Sequence, residues 1–202
     1  VGSTPIAQYI YENGTKRGKR VQALGGAKNH MLVLPDADLN LVADAAVNAG
    51  FGSAGERCMA ISVLVAVEPV ADAVIEKITE RMRELRTGDG TQGTDMGPLV
   101  TRVHRDKVAG YIDAGVAEGA TLVVDGRNPD VNGSPNGFWL GPTLFDEVKP
   151  SMSIYRDEIF GPVLSVVRVK SYEEGVDLIN GHIYGNGTAI FTNDGGAARR
   201  FQ

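Results

Sequence analysis

The chain of 202 residues has one cysteine, Cys58, so no intrachain disulfide can form and a reducing compartment is expected. It has no apolar run of membrane-spanning length; the longest, Ile61 to Val67, is the length of a strand. It lacks an excess of one charge. A net of -5 at pH 7 argues against nucleic-acid or anionic-membrane binding driven by bulk charge. There is no internal repeat, no low-complexity tract and no G-x-G-x-x-G dinucleotide fingerprint. His30, His104 and His182 lie far apart in sequence without metal-ligand spacing, so no metal site is expected. No signal peptide is visible. The chain opens on Val1, so a leader or an upstream domain is expected to be missing.

What is present is alternation of strand and helix periods. Gly2-Ser3-Thr4-Pro5 reads as a cap with proline near a first helical turn, followed by Ile6, Tyr9 and Ile10 on one side. Arg20 to Leu24 and His30 to Leu34 are short strand candidates. Asp36-Ala37-Asp38 caps a helix to about Ala49, with Leu39, Val42, Ala46 and Ala49 as its buried stripe. Ile61 to Val67 is a strand buried on both faces. Pro69 opens a helix carrying Val70, Val74, Ile78, Met82 and Leu85, which Gly88 ends. Val100 to Gly119 is amphipathic, with Val103, Val108, Tyr111, Ile112 and Val116 as its apolar set. Thr121 to Val124, Pro162 to Val169 and Gly187 to Thr192 are strands, and Ser171 to Asn180 is a helix. Asn128 to Gly137 is a polar exposed loop, and a last helix starts after Asp194. The pattern predicts an α/β layered fold with a largely parallel sheet flanked by helices. Both ends are expected to be cut within a longer architecture.

Cys58 is the one soft nucleophile. It follows Gly50-Phe51-Gly52-Ser53-Ala54-Gly55, a loop-forming stretch, and Arg57 beside it favours thiolate over thiol while Glu56 opposes this. The alternative is a small buried structural cysteine.

Three blocks occur in order: Leu24-Gly25-Gly26, Gly55-Glu56-Arg57-Cys58 and Glu158-Ile159-Phe160-Gly161-Pro162. Together they resemble the aldehyde dehydrogenase superfamily across essentially the whole chain. Gly25-Gly26-Ala27-Lys28-Asn29-His30, Gly52 to Ala60 and Tyr184-Gly185-Asn186-Gly187-Thr188-Ala189 are similar to its methylmalonate-semialdehyde, coenzyme A-acylating branch. One departure is His182-Ile183 before Tyr184, where that branch usually has Asn-Pro. Losing a turn proline is expected to loosen the loop.

The resemblance implies residue roles. Cys58 would attack the aldehyde carbon as thiolate, with its own backbone N–H as one oxyanion donor. Glu158 and Phe160 would meet the nicotinamide ribose and ring of NAD. Ser3 would approach the cofactor pyrophosphate near a helix start, and Gly25 would leave room beside the nicotinamide. Hydrolytic members usually carry a glutamate before Leu-Gly-Gly; here Ala23 stands there, so the thioester would persist until coenzyme A arrives. Glu56 is the alternative base. Arg57 would clamp a substrate carboxylate bidentately, the alternative being a solvated surface arginine.

By the resemblance, residues 1 to 22 would end an NAD-binding domain, and 23 to 202 would form a thiol-bearing catalytic domain, incomplete at its C-terminus. The implied reaction is NAD-dependent oxidation of malonate or methylmalonate semialdehyde. Acyl transfer to coenzyme A would give acetyl- or propionyl-CoA with loss of carbon dioxide, in valine or inositol breakdown. A homo-oligomer, dimer or tetramer, in bacterial cytoplasm or mitochondrial matrix is implied, with no nucleic-acid or membrane partner. Two readings stay open beside it: a hydrolytic aldehyde dehydrogenase, and a folded fragment without chemistry.

Overall fold

Largely apolar runs become the interior strands, and the segments of helical period pack across them. The computed structural model describes residues 1–131 and 133–202. In chain order the elements are α1 (Thr4–Thr15), β1 (Asn29–Val33), α2 (Leu39–Phe51), β2 (Ile61–Val67), α3 (Ala71–Glu84), α4 (Arg102–Ala117) and β3 (Thr121–Val124). There follow β4 (Thr143–Asp146), α5 (Ser153–Arg156), β5 (Val163–Val169), α6 (Tyr172–Asn180), β6 (Thr188–Phe191) and α7 (Gly195–Phe201). The strands form one sheet in the order β3-β4-β5-β2-β1-β6. Only the β3–β4 pair is antiparallel. This is the expected mostly parallel α/β sheet flanked by helices.

The centre of the sheet is the driest part. β1, β4 and nearly all of β2 and β5 are buried, as strands covered on both faces must be. Leu32 pairs in register with Val65, and α6 crosses above them. A Cβ on Gly175 of that helix would lie 2.6 Å from Leu32 Cδ1, so glycine there lets the helix sit close. Residues alternate faces along a strand, and α2 and α3 pack against each other and on β2. Asp38 caps α2 by accepting from the Asn40 and Leu41 amides, and Thr101 caps α4 by accepting from the His104 amide.

Several expectations are corrected. Arg20–Leu24 is not a strand. Its one backbone tie to α1's start is Gly2 N–H to Leu24 C=O at 3.0 Å, and among the described residues it has no strand partner. Ile6, Tyr9 and Ile10 are 54%, 66% and 49% exposed, and Ala7 is the residue α1 buries. Val47 and Phe51 join the buried stripe of α2, while Leu39 and Ala49 are half-buried. α3 stops at Glu84, short of Gly88. Val103 and Val116 face out from α4. The sequence predicts neither β4, whose four residues are all buried without polar alternation, nor α5, a single helical turn. The loop expected over 128–137 has no helix or strand where it is described; its Asn132 lies outside the described residues.

Leu32→Ala removes a fully buried side chain beneath α6 and is expected to cost about 2–5 kcal/mol, read from the midpoint of urea unfolding.

Candidate active site

Parallel pairing places the start of each strand at the same edge of the sheet. Asn29 of β1 is in register with Ile61 of β2, His30 with Thr188 of β6, and Val63 of β2 with Ser165 of β5. The residues just before these strands therefore meet: Gly25–Lys28, Arg57–Ala60, Glu158–Pro162 and Tyr184–Gly187. One cleft is lined by Ala27, Arg57, Cys58, Glu158, Phe160 and their neighbours. It lies at the amino ends of the strands, opposite the carboxyl-end crevice usual in open α/β sheets.

Cys58 is exposed in this cleft. The turn before it is strained: Ser53 and Ala54 have φ of 53° and 54°, and Gly55 has φ of 71°. Left-handed non-glycine residues are held only where their surroundings over-determine them. Here Gly55 is pressed on the next block, since a Cβ would lie 2.2 Å from Gly161 O. After the cysteine, buried Asn29 fixes the chain. Its Nδ2 donates to the carbonyls of Cys58 at 2.9 Å and Ala60 at 2.8 Å, and its Oδ1 accepts from Gly187 N–H at 2.9 Å. Asn186 Nδ2 donates to the same Cys58 carbonyl at 2.8 Å. The peptide after Cys58 is thus held by side chains from two other strand starts.

Arg57 is exposed, its Nε donating to Ser53 Oγ at 3.1 Å. Its guanidinium lies over Gly52, where a Cβ would meet Nη1 at 2.6 Å. Glu56 turns toward the start of α4: its Oε1 lies 3.4 Å from both Val100 N and His104 Nε2. His104 Nε2–H donates to the Phe160 carbonyl at 2.6 Å. Phe160 itself has φ of 57° and leaves 36% of its surface exposed.

Glu158 Oε1 accepts from Ala27 N–H at 3.0 Å. A Cβ on Gly26 would meet Glu158 Oε2 at 2.8 Å and Thr4 Oγ1 at 3.1 Å, and Thr4 Oγ1 accepts from Gly26 N–H at 2.9 Å. Gly25 abuts Thr4, with 3.1 Å from a Cβ to Thr4 Cα. Ser3 is the N-cap of α1 without a side-chain cap bond. Arg57, Cys58, Glu158 and Phe160 therefore share the cleft wall, while Ser3 and Gly25 stand beside it through Thr4 and Gly26. Gly26, which was given no role from sequence, is the glycine that directly faces the carboxylate.

Behind the cleft lies a buried polar cluster. Lys28 Nζ donates to Ile154 O at 2.8 Å and Asp157 O at 2.7 Å. His30 Nδ1–H donates to Lys28 O at 2.9 Å, leaving Nε2 to face Tyr155 Oη at 3.2 Å. The His30 and His182 rings, distant in sequence, are 5.4 Å apart. Among the described residues no group of three acidic, histidine or cysteine side chains could hold a metal. His182 also replaces the expected loosening with a brace: Nδ1 accepts from Tyr184 N–H at 3.0 Å, and Nε2–H donates to Tyr155 O at 3.2 Å. Burial, aided by His182, lowers His30 to about 4, and burial lowers Lys28 to about 7.

The cleft thus brings an exposed thiol, a carboxylate and an exposed aromatic ring together at the amino edge of the sheet. The aldehyde dehydrogenase family model matches residues 1–202, and the chain belongs to that family. It is 64% identical over its full length to malonate-semialdehyde dehydrogenase of Pseudomonas aeruginosa, spanning 41% of that protein. It is 50% identical, again over its full length, to malonate-semialdehyde dehydrogenase 1 of Bacillus licheniformis, spanning 41% of it. The crystal structure of methylmalonate-semialdehyde dehydrogenase from Oceanimonas doudoroffii superposes with a TM-score of 0.96 at 55% identity, over 99% of this chain and 41% of that one. Betaine aldehyde dehydrogenase from Staphylococcus aureus, solved with NAD+, gives a TM-score of 0.94 at 32% identity, over 99% of this chain and 40% of that one.

Asn29→Ala takes the side-chain partner from the Ala60 carbonyl and the Gly187 N–H and leaves the Cys58 carbonyl to Asn186 alone. The loss is expected to be about 1–3 kcal/mol for each buried group left unpaired, together with slower alkylation of Cys58 by a thiol-reactive probe. Unchanged alkylation would mean the amide does not organise the nucleophile.

His30 sets an acid limit. The unfolded chain takes up a proton near 6.5 and the folded one only near 4, so stability is lost as pH falls across that window. Thermal midpoints measured from pH 7 to 4 should fall, and His30→Gln should flatten the decline.

Proposed function

We propose that the protein carrying this chain is an NAD-dependent semialdehyde dehydrogenase that passes its acyl group to coenzyme A. The observation that carries the reading is the cleft itself, an exposed cysteine with an arginine beside it, together with alanine at the position before Leu24-Gly25-Gly26. Glu158 is the one carboxylate among the described lining residues, and it is bound to Ala27 N–H. Glu56 is engaged at the start of α4. Ala23 has no proton-accepting group at all.

Cys58 forms the bond to the aldehyde carbon, giving a hemithioacetal. Its oxygen is met by N–H donors, with the Cys58 amide held in place by the Asn29 and Asn186 bonds to the next peptide. The residues fit a nicotinamide cofactor. Glu158 presents a carboxylate oxygen able to accept from ribose hydroxyls, and Phe160 an exposed ring face. Ser3 stands at a helix start suited to pyrophosphate, and Gly25 keeps the wall low. Bound NAD would supply the acceptor for the hydride whose loss turns the hemithioacetal into a Cys58 thioester. The coenzyme A thiolate needs less activation than water, so a site without a base favours transfer over hydrolysis. The Arg57 guanidinium is bonded only through Nε among the described residues. Its two terminal nitrogens remain to grip a substrate carboxylate as a fork.

The relatives named malonate-semialdehyde dehydrogenase and the solved methylmalonate-semialdehyde dehydrogenase support malonate and methylmalonate semialdehydes as substrates; the products of the proposed reaction are acetyl- and propionyl-CoA and carbon dioxide. We read residues 1–22 as the end of a cofactor-binding domain and 23–202 as catalytic, within a homo-oligomer.

The test is product analysis in the intact protein with semialdehyde and NAD, with and without coenzyme A. Acyl-CoA should form at the rate of NADH, and turnover should stall without coenzyme A. Arg57→Ala should raise KM for the semialdehyde acid at least tenfold, about the loss of one charge-assisted pair, and spare an uncharged aldehyde. Free acid released equally fast without coenzyme A would favour the hydrolytic reading instead.

A further inference from the structure

Lys28 is a cation in a dry place: 2% of it is exposed, and no carboxylate among the described residues pairs with it. Its two bonds go to the carbonyls of Ile154 and Asp157. These residues lie in α5 and immediately after it, and Glu158 is the next residue along. Lys28 itself sits between Ala27, whose N–H holds Glu158 Oε1, and Asn29, whose amide holds Cys58 O. A buried ammonium costs several kcal/mol to desolvate, and an apolar residue would fill the space without that cost. The bonds it makes join the two segments that meet at the Glu158 carboxylate.

We propose that Lys28 is a positioning residue for the cofactor-facing carboxylate of Glu158, and that its Nζ, through the carbonyls of Ile154 and Asp157, holds the 154–158 segment against the strand start that carries Gly26, Ala27 and Asn29. The inference rests on the cofactor reading of Glu158.

The surroundings make this hold depend on pH. His30 and His182 face the cluster from β1 and from the loop after α6, the latter with Tyr184. Tyr155, Asp157 and Glu158 face it from α5 and the loop after it. Tyr111 of α4 donates its hydroxyl to Asp157 Oδ2 at 3.1 Å. Both histidines are pushed down by burial, so neither carries charge near neutral pH, and Tyr155 and Tyr111 are pushed up to about 12. Burial lowers Lys28 to about 7, against the attraction of Asp157 first and Glu158 second. Near neutrality Lys28 is therefore the group of this cluster that changes charge. A segment that opens hydrates Lys28 and returns it toward its ordinary range, so the packed arrangement binds fewer protons and is favoured as pH rises. As pH falls through about 7 the 154–158 segment should loosen and cofactor affinity should fall.

The test measures KM for NAD and kcat of the intact protein from pH 6 to 8.5, for wild type, Lys28→Met, Glu158→Gln and the double variant. Lys28→Met should raise KM for NAD about tenfold, the scale of one lost charge-assisted hydrogen bond. It should leave kcat nearly unchanged and remove the neutral inflection from the KM profile. The double variant should be no worse than Glu158→Gln alone, because the two act as one unit. Losses that add, or an inflection that survives in Lys28→Met, overturn the inference while leaving Glu158 as a cofactor residue. A Glu158→Gln variant with unchanged KM overturns the cofactor reading and the inference with it. Amide exchange in the wild type needs no variant to fold. The Arg156 and Asp157 amides, bonded to Met152 O and Ser153 O, should lose protection below pH 7 once the intrinsic rate is divided out; constant protection overturns the inference.

Discussion

Five strands run parallel in the order β4, β5, β2, β1, β6, and the segments that line the cleft immediately precede the last four. That register is the constraint on which the site depends. A slip of one strand would move its leading residues out of the cleft and turn its buried face outward. The buried side chains of β2, β1 and β5 therefore do more than stabilise a core. They fix where Arg57–Cys58, Gly26–Asn29 and Glu158–Phe160 stand relative to one another, although 131 residues separate Ala27 from Glu158 in the chain.

The edge of the sheet is tied together by cross-bonds between these segments. Asn29 and Asn186 both reach the Cys58 carbonyl, His104 reaches Phe160 O from α4, and Lys28 reaches two carbonyls around α5. Such a framework is what keeps Ser53, Ala54 and Phe160 in left-handed backbone conformations that would otherwise relax. A nucleophile on a loop is positioned well only if the loop is over-determined, and here the restraints come from every neighbouring strand start.

Much of this was legible in the sequence. The two seven-residue apolar strands and the amphipathic α3 follow from periodicity alone, and the residues of the cleft wall follow from three short blocks and their order. β4, buried at every position, shows no alternation and α5 is a single turn, while Arg20–Leu24 has strand composition but no neighbour to pair with among the described residues. The exposed Ile6, Tyr9 and Ile10 show the limit of periodicity: a stripe marks a face able to pack, and the partner must come from elsewhere. Asn29, Lys28 and His182 read as ordinary polar residues because their significance is three-dimensional. A buried lysine is anomalous only once its burial is known, and His30 and His182 become neighbours only when β1 and the loop before β6 are side by side.

The central claim is that the convergence of strand starts makes Cys58 a nucleophile that holds an acyl group until a thiol takes it. Intact-protein mass spectrometry, with semialdehyde and NAD but no coenzyme A, tests this most directly. The account predicts an acyl adduct located on the peptide containing Cys58, persisting over minutes and lost when coenzyme A is added, with acyl-CoA formed in equal amount. An unmodified Cys58 during steady NADH production, or an adduct on another residue, would contradict it.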